Sequence, residues 1–195
     1  MEIIKSNIAN LPSRFGKFQI KSYKEGCCKE HLTIFSPNLD VTKTVNVRIH
    51  SECLTGDAIG SLKCDCRDQL EASLKYINKH GGMVIYLRQE GRNIGLLNKV
   101  NAYALQDNGL DTIEANHQLG FKADERTYEI VDFILKDFGI KSINLLTNNP
   151  LKLASLTCVN IEKRIPIEIE SNEFNKDYLK VKKEQMGHML DEFTR

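Results

Sequence analysis

Three cysteines, Cys53, Cys64 and Cys66, lie in the stretch Arg48–Gln69 (RIHSECLTGDAIGSLKCDCRDQ) with the spacing C-x10-C-x-C. Thiolates that close in sequence point to a metal, most often zinc. The count matters. Structural zinc usually takes four protein ligands, while a catalytic site leaves one tetrahedral position for water. Zinc lowers the pKa of such a water from about 15.7 to about 7 and so provides a nucleophile at neutral pH. Spacing alone leaves three readings open: catalytic zinc, structural zinc completed by His50 or another residue, or three unligated thiols. Asp65 stands between two of the cysteines and reads as a hydrogen-bonding group, not a ligand. Cys27 and Cys28 beside His31 make a weaker metal candidate, because adjacent strand side chains point to opposite faces. Cys158 reads as a small buried residue.

Other residues offer different chemistry. In Arg88-Gln89-Glu90-Gly91-Arg92-Asn93, the arginines suit a bidentate grip on phosphate. Glu90 suits a base, a ribose or a divalent cation, and Gly91 permits close backbone approach. A solvated charged loop with an internal ion pair is the alternative. Asp124, ahead of Glu125 and Arg126, has the form of a helix N-cap. Thr147 and Lys152 flank an expected helix N-terminus, a position that favours anions, although Lys152 reads equally well as a surface lysine. Tyr103 falls on an apolar helix face and reads as core. His117 falls in a polar loop.

The elements that must hold these groups follow from periodicity. Residues 16–23 and 32–35 have strand character around a turn at Gly26. Val45, Val47 and Ile49 alternate with Asn46, Arg48 and His50, the pattern of a half-buried strand with Arg48, His50 and Glu52 on its polar face. Leu70, Leu74 and Ile77 predict a helix ended by Gly81-Gly82. Met83–Leu87 (MVIYL) predicts a strand buried on both faces, which delivers the Arg88–Asn93 loop to the carboxyl end of a sheet. Residues 96–108 predict a helix with Leu96, Val100 and Tyr103 inward, and residues 125–138 predict another. Ile143–Leu146 predicts a buried strand, followed by a short helix with an Asn149 cap and Pro150 at its first position. Ile161, Ile165, Ile167 and Ile169 predict late strands, with Pro166 favouring an edge. A polar, helical tail begins near Asn175. Helices alternating with buried strands make this an α/β protein: one domain over residues 1–195, with a mixed β-sheet flanked by helices.

The chain has 195 residues, six cysteines, 41% hydrophobic and 27% charged residues and a formal net charge of +1. That is enough for a sizeable core. Near-neutral charge without a basic, aromatic-studded stripe argues against nucleic-acid binding. No run approaches the ~20 apolar residues of a membrane span, and the first residues have no signal-peptide pattern, so a cytoplasmic location with reduced or metal-bound cysteines is expected.

Four motifs taken together, RIHSECLTGDAIGSLKCDC, RQEGRNIGLLNK, AYALQDNGLDTIEANHQLGFKADER and LLTNNPLK, resemble the GTP cyclohydrolase II family. The similarity runs from about residue 10 into the tail. The resemblance implies a cytoplasmic zinc-dependent homodimer that converts GTP to formate, pyrophosphate and 2,5-diamino-6-ribosylamino-4(3H)-pyrimidinone 5′-phosphate in riboflavin biosynthesis, with Mg2+ at the phosphates. With no dihydroxybutanone-phosphate synthase domain ahead of the motifs, the monofunctional form is implied. Matched position by position, Cys53, Cys64 and Cys66 are the implied Zn2+ ligands. Arg48, Ile49, His50, Ser51, Glu52, Gln69, Glu90, Gly91, Arg92, Thr112, Thr147 and Lys152 are the implied GTP contacts. Asp124 matches a proton acceptor, Arg126 a nucleophile toward the α-phosphate, and Tyr103 a residue near the zinc chemistry. Arg67-Asp68 departs from the expected small and apolar pair. A guanidinium with a pKa above about 12 is a demanding nucleophile, so electrostatic stabilisation of the α-phosphate is the rival role for Arg126. A regulatory nucleotide-binding protein with structural zinc is the alternative outside enzymes.

Overall fold

Alternating β-branched and aromatic residues lay down eight strands among the described residues: β1 (Ile3–Lys5), β2 (Ala9–Ser13), β3 (Gly16–Glu25), β4 (Lys29–Phe35), β5 (Val45–Ser51), β6 (Met83–Leu87), β7 (Ser142–Leu146) and β8 (Asn160–Ile165). Seven α-helices accompany them: α1 (Leu54–Asp57), α2 (Cys66–His80), α3 (Gly95–Asp107), α4 (Thr112–Gln118), α5 (Glu129–Asp137), α6 (Pro150–Ser155) and α7 (Lys176–Glu184). This computed structural model describes residues 2–26 and 28–190, apart from the Asp177 side chain. The strands form one mixed sheet in the order β1-β3-β4-β6-β5-β7-β8, with β2 paired to β3. The β1–β4 part and the β4–β6 pair are antiparallel, whereas β5–β7 and β7–β8 are parallel.

The chain divides into two compact units. The first comprises residues 1–50, 69–88 and 128–168 and contains the sheet. Its core follows from side-chain alternation. Met83, Ile85 and Leu87 of β6 join Val45, Val47, Ile49, Ile143 and Leu145 in a cluster with Ile130, Val131, Ile134 and Leu135 of α5. Val84, pointing the other way, joins Phe18, Ile34, Leu74 and Ile77, so α2 packs on the opposite face. Full burial of each such aliphatic side chain contributes about 1.5–3 kcal/mol.

Several expectations change here. β5 is not half-buried. It lies between β6 and β7, and Arg48 and His50 on its polar face are 4% and 2% exposed. Polar alternation therefore marked a buried hydrogen-bonding face, not a solvent-facing one. The helix predicted for 125–138 starts only at Glu129, after an irregular segment. β8 is an edge strand as expected, but Ile167 and Ile169 fall outside it. Asn149 does cap α6, accepting from the Leu151 N–H, with Pro150 following.

The second unit comprises residues 51–68, 89–127 and 169–195 and holds α1, α3, α4 and α7. In α3 the predicted faces are reversed. Leu96, Leu97 and Val100 are 40%, 76% and 52% exposed, while Lys99 and Ala102 are buried. Helix α4, which places His117 in a helix instead of a loop, has a capping box. Asp111 accepts from the Ile113 and Glu114 N–H groups, and Glu114 accepts from the Asp111 N–H. The tail is helical as expected, as α7; its last residues, 191–195, lie outside the described residues.

Candidate active site

The end of β5 runs straight into Cys53, and the single-turn helix α1 follows at once. The Leu54 N–H donates to Glu90 Oε2 at 2.6 Å and the Cys53 N–H to Asp57 Oδ2 at 3.0 Å, which fixes the backbone around the first thiol. Cys64 returns beside it, with 3.7 Å between the two Sγ atoms. Cys66 opens α2, and the three ligand atoms lie within 4.8 Å of one another. A tetrahedron with Zn–S bonds of about 2.3 Å has edges of about 3.8 Å, so the Cys53–Cys64 pair already has the spacing zinc requires, and Cys66 lies within reach. Gly56 is part of the nest: a Cβ there would stand 2.8 Å from Cys64 Sγ and 3.1 Å from Cys53 Sγ. Among the described residues the metal-capable group consists of these three cysteines, which leaves a tetrahedral position open.

The electrostatics agree. Hydrogen bonds from Cys64 and Cys66 pull the Cys53 thiol far below its ordinary value, with Lys99 adding to the effect. That thiolate in turn pushes Cys64 up to about 11 and Cys66 well above the normal range, aided by burial. Burial and mutual repulsion thus oppose ionisation of all three thiols at once. A divalent cation is what allows all three to ionise together.

Lys99 is a site residue that periodicity concealed. Its Nζ donates to Glu90 Oε1 at 2.7 Å and to Cys53 Sγ at 3.1 Å. Burial favours its neutral form, but Glu90 and the Cys53 thiolate overcome that and raise its pKa. With Ala102, Tyr103 and Gln106 it forms the α3 face that lines a cavity of ≈ 360 Å³. The signal was the i, i+4, i+7 recurrence of Lys99, Tyr103 and Gln106, a polar stripe turned inward. Tyr103 is therefore a cavity residue, not core. Burial raises its pKa to about 12, so its hydroxyl stays protonated at neutral pH.

Behind Lys99, the turn Glu90–Asn93 is strained. Gly91, Arg92 and Asn93 all have left-handed backbones, with φ of 59°, 59° and 75°. Glycine accepts this readily, whereas Arg92 requires restraint from its surroundings. The restraint comes from residues 123–125. Arg92 Nη1 donates to the Ala123 carbonyl at 3.1 Å, the Glu125 N–H to the Arg92 carbonyl at 3.2 Å, and Asn93 Nδ2 to the Glu125 carbonyl at 3.0 Å. The segment so clamped carries Asp124 and Arg126. Arg126 Nε donates to Asp124 Oδ1 at 2.9 Å and its Nη2 to Oδ2, a side-on bidentate pair. Asp124 caps no helix. Burial opposes its charge, but Arg126 prevails and lowers its pKa. The charged Arg88–Asn93 loop is solvated only in part: Arg88 is exposed, but Gln89 and Glu90 are 1% and 8% exposed, and Gln89 Nε2 donates to the Thr127 carbonyl.

Ser51, Glu52, the three cysteines, Glu90, Gly91, Arg92, Tyr103, Thr112 and Arg126 thus line one cavity within the second unit. Two buried polar atoms there, Ser51 Oγ and Arg92 Nη2, have no hydrogen-bond partner among the described residues, the condition a polar ligand relieves. Phe174, Tyr178 and Val181 of the tail, which composition did not single out, complete the lining.

The other expected binding residues belong to the first unit. Arg48 donates to the Leu146 carbonyl at 3.1 Å and to Gln69 Oε1 at 2.6 Å. Lys152 is buried, not a surface lysine, and its Nζ donates to the Ile49 carbonyl at 2.8 Å. Thr147 Oγ1 accepts from the Asn149 N–H, and His50 stacks on Tyr86 at 5.4 Å. His31 is no metal ligand in this arrangement. Its Nδ1 accepts from the Arg88 N–H, so Nε2 carries the proton toward Glu25, 3.0 Å away. Cys28 is exposed, and Cys27 lies outside the described residues. Cys158 is half-buried, with Sγ near the Asp132 carbonyl.

Fold and cavity together define a class: an α/β protein with a three-thiol nest able to hold a metal ion, in an arginine-bearing pocket. The GTP cyclohydrolase II family model matches residues 5–166. A GTP cyclohydrolase-2 of Campylobacter hominis is 69% identical over 192 residues, 98% of each chain. One from Sulfurospirillum multivorans is 69% identical over 141 residues, covering 72% of this chain and 100% of that one. One from Helicobacter pylori strain Shi470 is 55% identical over 188 residues, 95% of this chain and 97% of that one. The chain belongs to the GTP cyclohydrolase II family and is a hydrolase of that family.

Proposed function

We propose that the protein hydrolyses GTP to formate, pyrophosphate and 2,5-diamino-6-ribosylamino-4(3H)-pyrimidinone 5′-phosphate, an early step of riboflavin biosynthesis. The observation that carries this reading is the sharing of one cavity by three thiols close enough to hold one metal ion, Arg92 and Arg126. The reading takes residues 1–195 as one GTP cyclohydrolase II domain acting as a homodimer in the cytoplasm, with Mg2+ on the substrate phosphates. The exposed Leu96, Leu97 and Val100 of α3 support a second copy. No helix is long and apolar enough to cross a membrane among the described residues.

Cys53, Cys64 and Cys66 would hold Zn2+, with Gly56 and Lys99 keeping the sulfurs close and one of them ionised. The bound ion supplies Lewis acidity and an activated water at neutral pH. In this reading two waters are consumed at C8 of guanine, opening the imidazole ring and then releasing formate, and a third cleaves the α–β phosphoanhydride. Tyr103, protonated and in the cavity wall, donates a hydrogen bond to oxygen as charge develops at C8. Arg92, whose Nη2 has no hydrogen-bond partner among the described residues, and Lys152 bind phosphate oxygens. Arg48, Ile49, His50, Ser51, Glu52, Gln69, Glu90, Gly91, Thr112 and Thr147 serve base, ribose and phosphate recognition.

The Asp124–Arg126 pair favours one role for Arg126. A guanidinium already paired with an ionised carboxylate keeps its proton, and a carboxylate with a lowered pKa is a poor base for removing it. This supports Arg126 as an electrostatic anchor of the α-phosphate, with water attacking and Asp124 orienting it. Incubation of metal-replete protein with GTP should yield formate, pyrophosphate and the pyrimidine in equal amounts. Formate without pyrophosphate would overturn the full reaction, and tight binding without products would favour the regulatory reading. Under single turnover with α-labelled GTP, no label should remain on Arg126; a trapped guanylyl-arginine would restore the nucleophilic role.

A further inference from the structure

The family match ends at residue 166, yet the segment beyond it reaches the metal nest. Asp65 is held by the chain between two of the thiols and is 3% exposed. A buried carboxylate beside thiolates is unfavourable unless a cation answers it. Lys182 of α7 is that cation. Its Nζ lies 2.8 Å from Asp65 Oδ1 and 4.2 Å from the centre of the Tyr178 ring, one helical turn earlier. Arg92 lies 6.0 Å from the same ring. The Lys182 and Asp65 side chains are only 12% and 4% exposed. This is not one of the surface pairs that contribute little, but a largely buried pair whose separation is costly. Three thiolates and Asp65 set against one divalent cation leave the nest formally anionic, and Lys182 adds a positive charge on its Asp65 side, as Lys99, itself paired with Glu90, does on its Cys53 side.

We propose that Lys182 is a positioning residue of the reaction centre, acting through Asp65 to hold the Cys64–Cys66 loop in the conformation that presents both of its thiols to the metal. The proposal rests on the reading of the three thiols as a zinc site. Without Lys182, Asp65 loses the buried cation that favours its inward position. Because its neighbours on both sides are ligands, a rotation there moves two sulfurs at once. A role through the ligand loop also separates Lys182 from residues that bind the nucleotide directly.

The test uses the full chain as parent, Lys182→Met, Lys182→Arg, Asp65→Asn and the Lys182→Met/Asp65→Asn double variant. Zinc stoichiometry is measured first, then zinc affinity by chelator competition and the visible spectrum of the cobalt-loaded proteins. Lys182→Met and Asp65→Asn should each weaken zinc binding ~10–100-fold, Lys182→Arg should stay within about threefold of the parent, and the double variant should be no weaker than the worse single. The cobalt spectrum should change in Lys182→Met and return in Lys182→Arg, and kcat should fall more than KM for GTP rises. Parental affinity and spectrum in Lys182→Met, or losses that add in the double variant, would overturn the role of Lys182. If Lys182→Met does not fold, Asp65→Asn decides: parental zinc affinity there overturns the proposal equally. A parent that binds no zinc would overturn the three-thiol reading itself, which is a different result.

Discussion

Gly56 shows how much can depend on one missing methyl group. Glycine at this position reads in sequence as loop punctuation, yet a Cβ there would press on two sulfurs and on Cys66 Cβ. Nothing can yield cheaply, because the obstructing atoms are the ligands. Gly56→Ala should weaken zinc binding by about tenfold or more, the range seen when the support of metal ligands is altered, while the far-ultraviolet dichroism stays that of the parent. Chelator competition reads this directly, and unchanged affinity would show that the nest relaxes freely. The gathering of the three thiols was legible in sequence because it is local to a C-x10-C-x-C pattern. Lys99 was not, because a buried lysine is explained only by partners from two other segments, Cys53 and Glu90. Asp124 was read first as a cap for the same reason: its true partner, Arg126, is a neighbour that a helix pattern treats as interior.

At the scale of elements, the buried strands and the two sheet-packing helices were legible, since β6 is a continuous apolar run, β7 is mostly apolar, and α2 and α5 repeat apolar residues at helical spacing. The reversal of α3 has a physical cause: a helix beside a polar cavity turns its polar stripe inward, and the amphipathic rule assumes an apolar core. Polar clamps also join elements where the core does not. Asp137, at the end of α5, accepts from Lys5 of β1 and from Lys21 and Tyr23 of β3. Burial opposes its charge, yet the donors, led by Lys21, lower its pKa to about 2. The folded pKa lies below the unfolded value, so this clamp contributes fully above about pH 4 and is lost as pH falls toward 2. Asp137→Asn should lower stability at neutral pH and flatten its decline between about pH 4 and 2. Urea unfolding at a series of pH values measures this, and a decline as steep as the parent's would refute it.

For the whole molecule, both hydrophobic clusters of the described residues belong to the first unit. The second unit is held by capping, by the buried Lys99–Glu90 and Lys182–Asp65 pairs and, in the proposed reading, by metal. A ligand that binds only the folded state adds its binding free energy to stability, so metal should stabilise the two units unequally. Zinc removal should raise amide exchange in residues 54–66 and 95–107 by at least about tenfold while β5, β6 and β7 keep their protection. Hydrogen exchange with and without chelator tests this, and uniform loss over both units would contradict it. The chain also passes between the units after residues 50, 68, 88, 127 and 168. Neither unit is a continuous stretch, so the ribosome delivers neither one complete before most of the chain has emerged. Asp65 and Lys182 are 117 residues apart. At about 5–20 residues per second, the thiol loop waits on the order of ten seconds for its balancing lysine. During that interval the nascent cysteines are most open to oxidation or to capture of the wrong ion, so faithful metal loading depends on when the tail is made as well as on the ligands themselves.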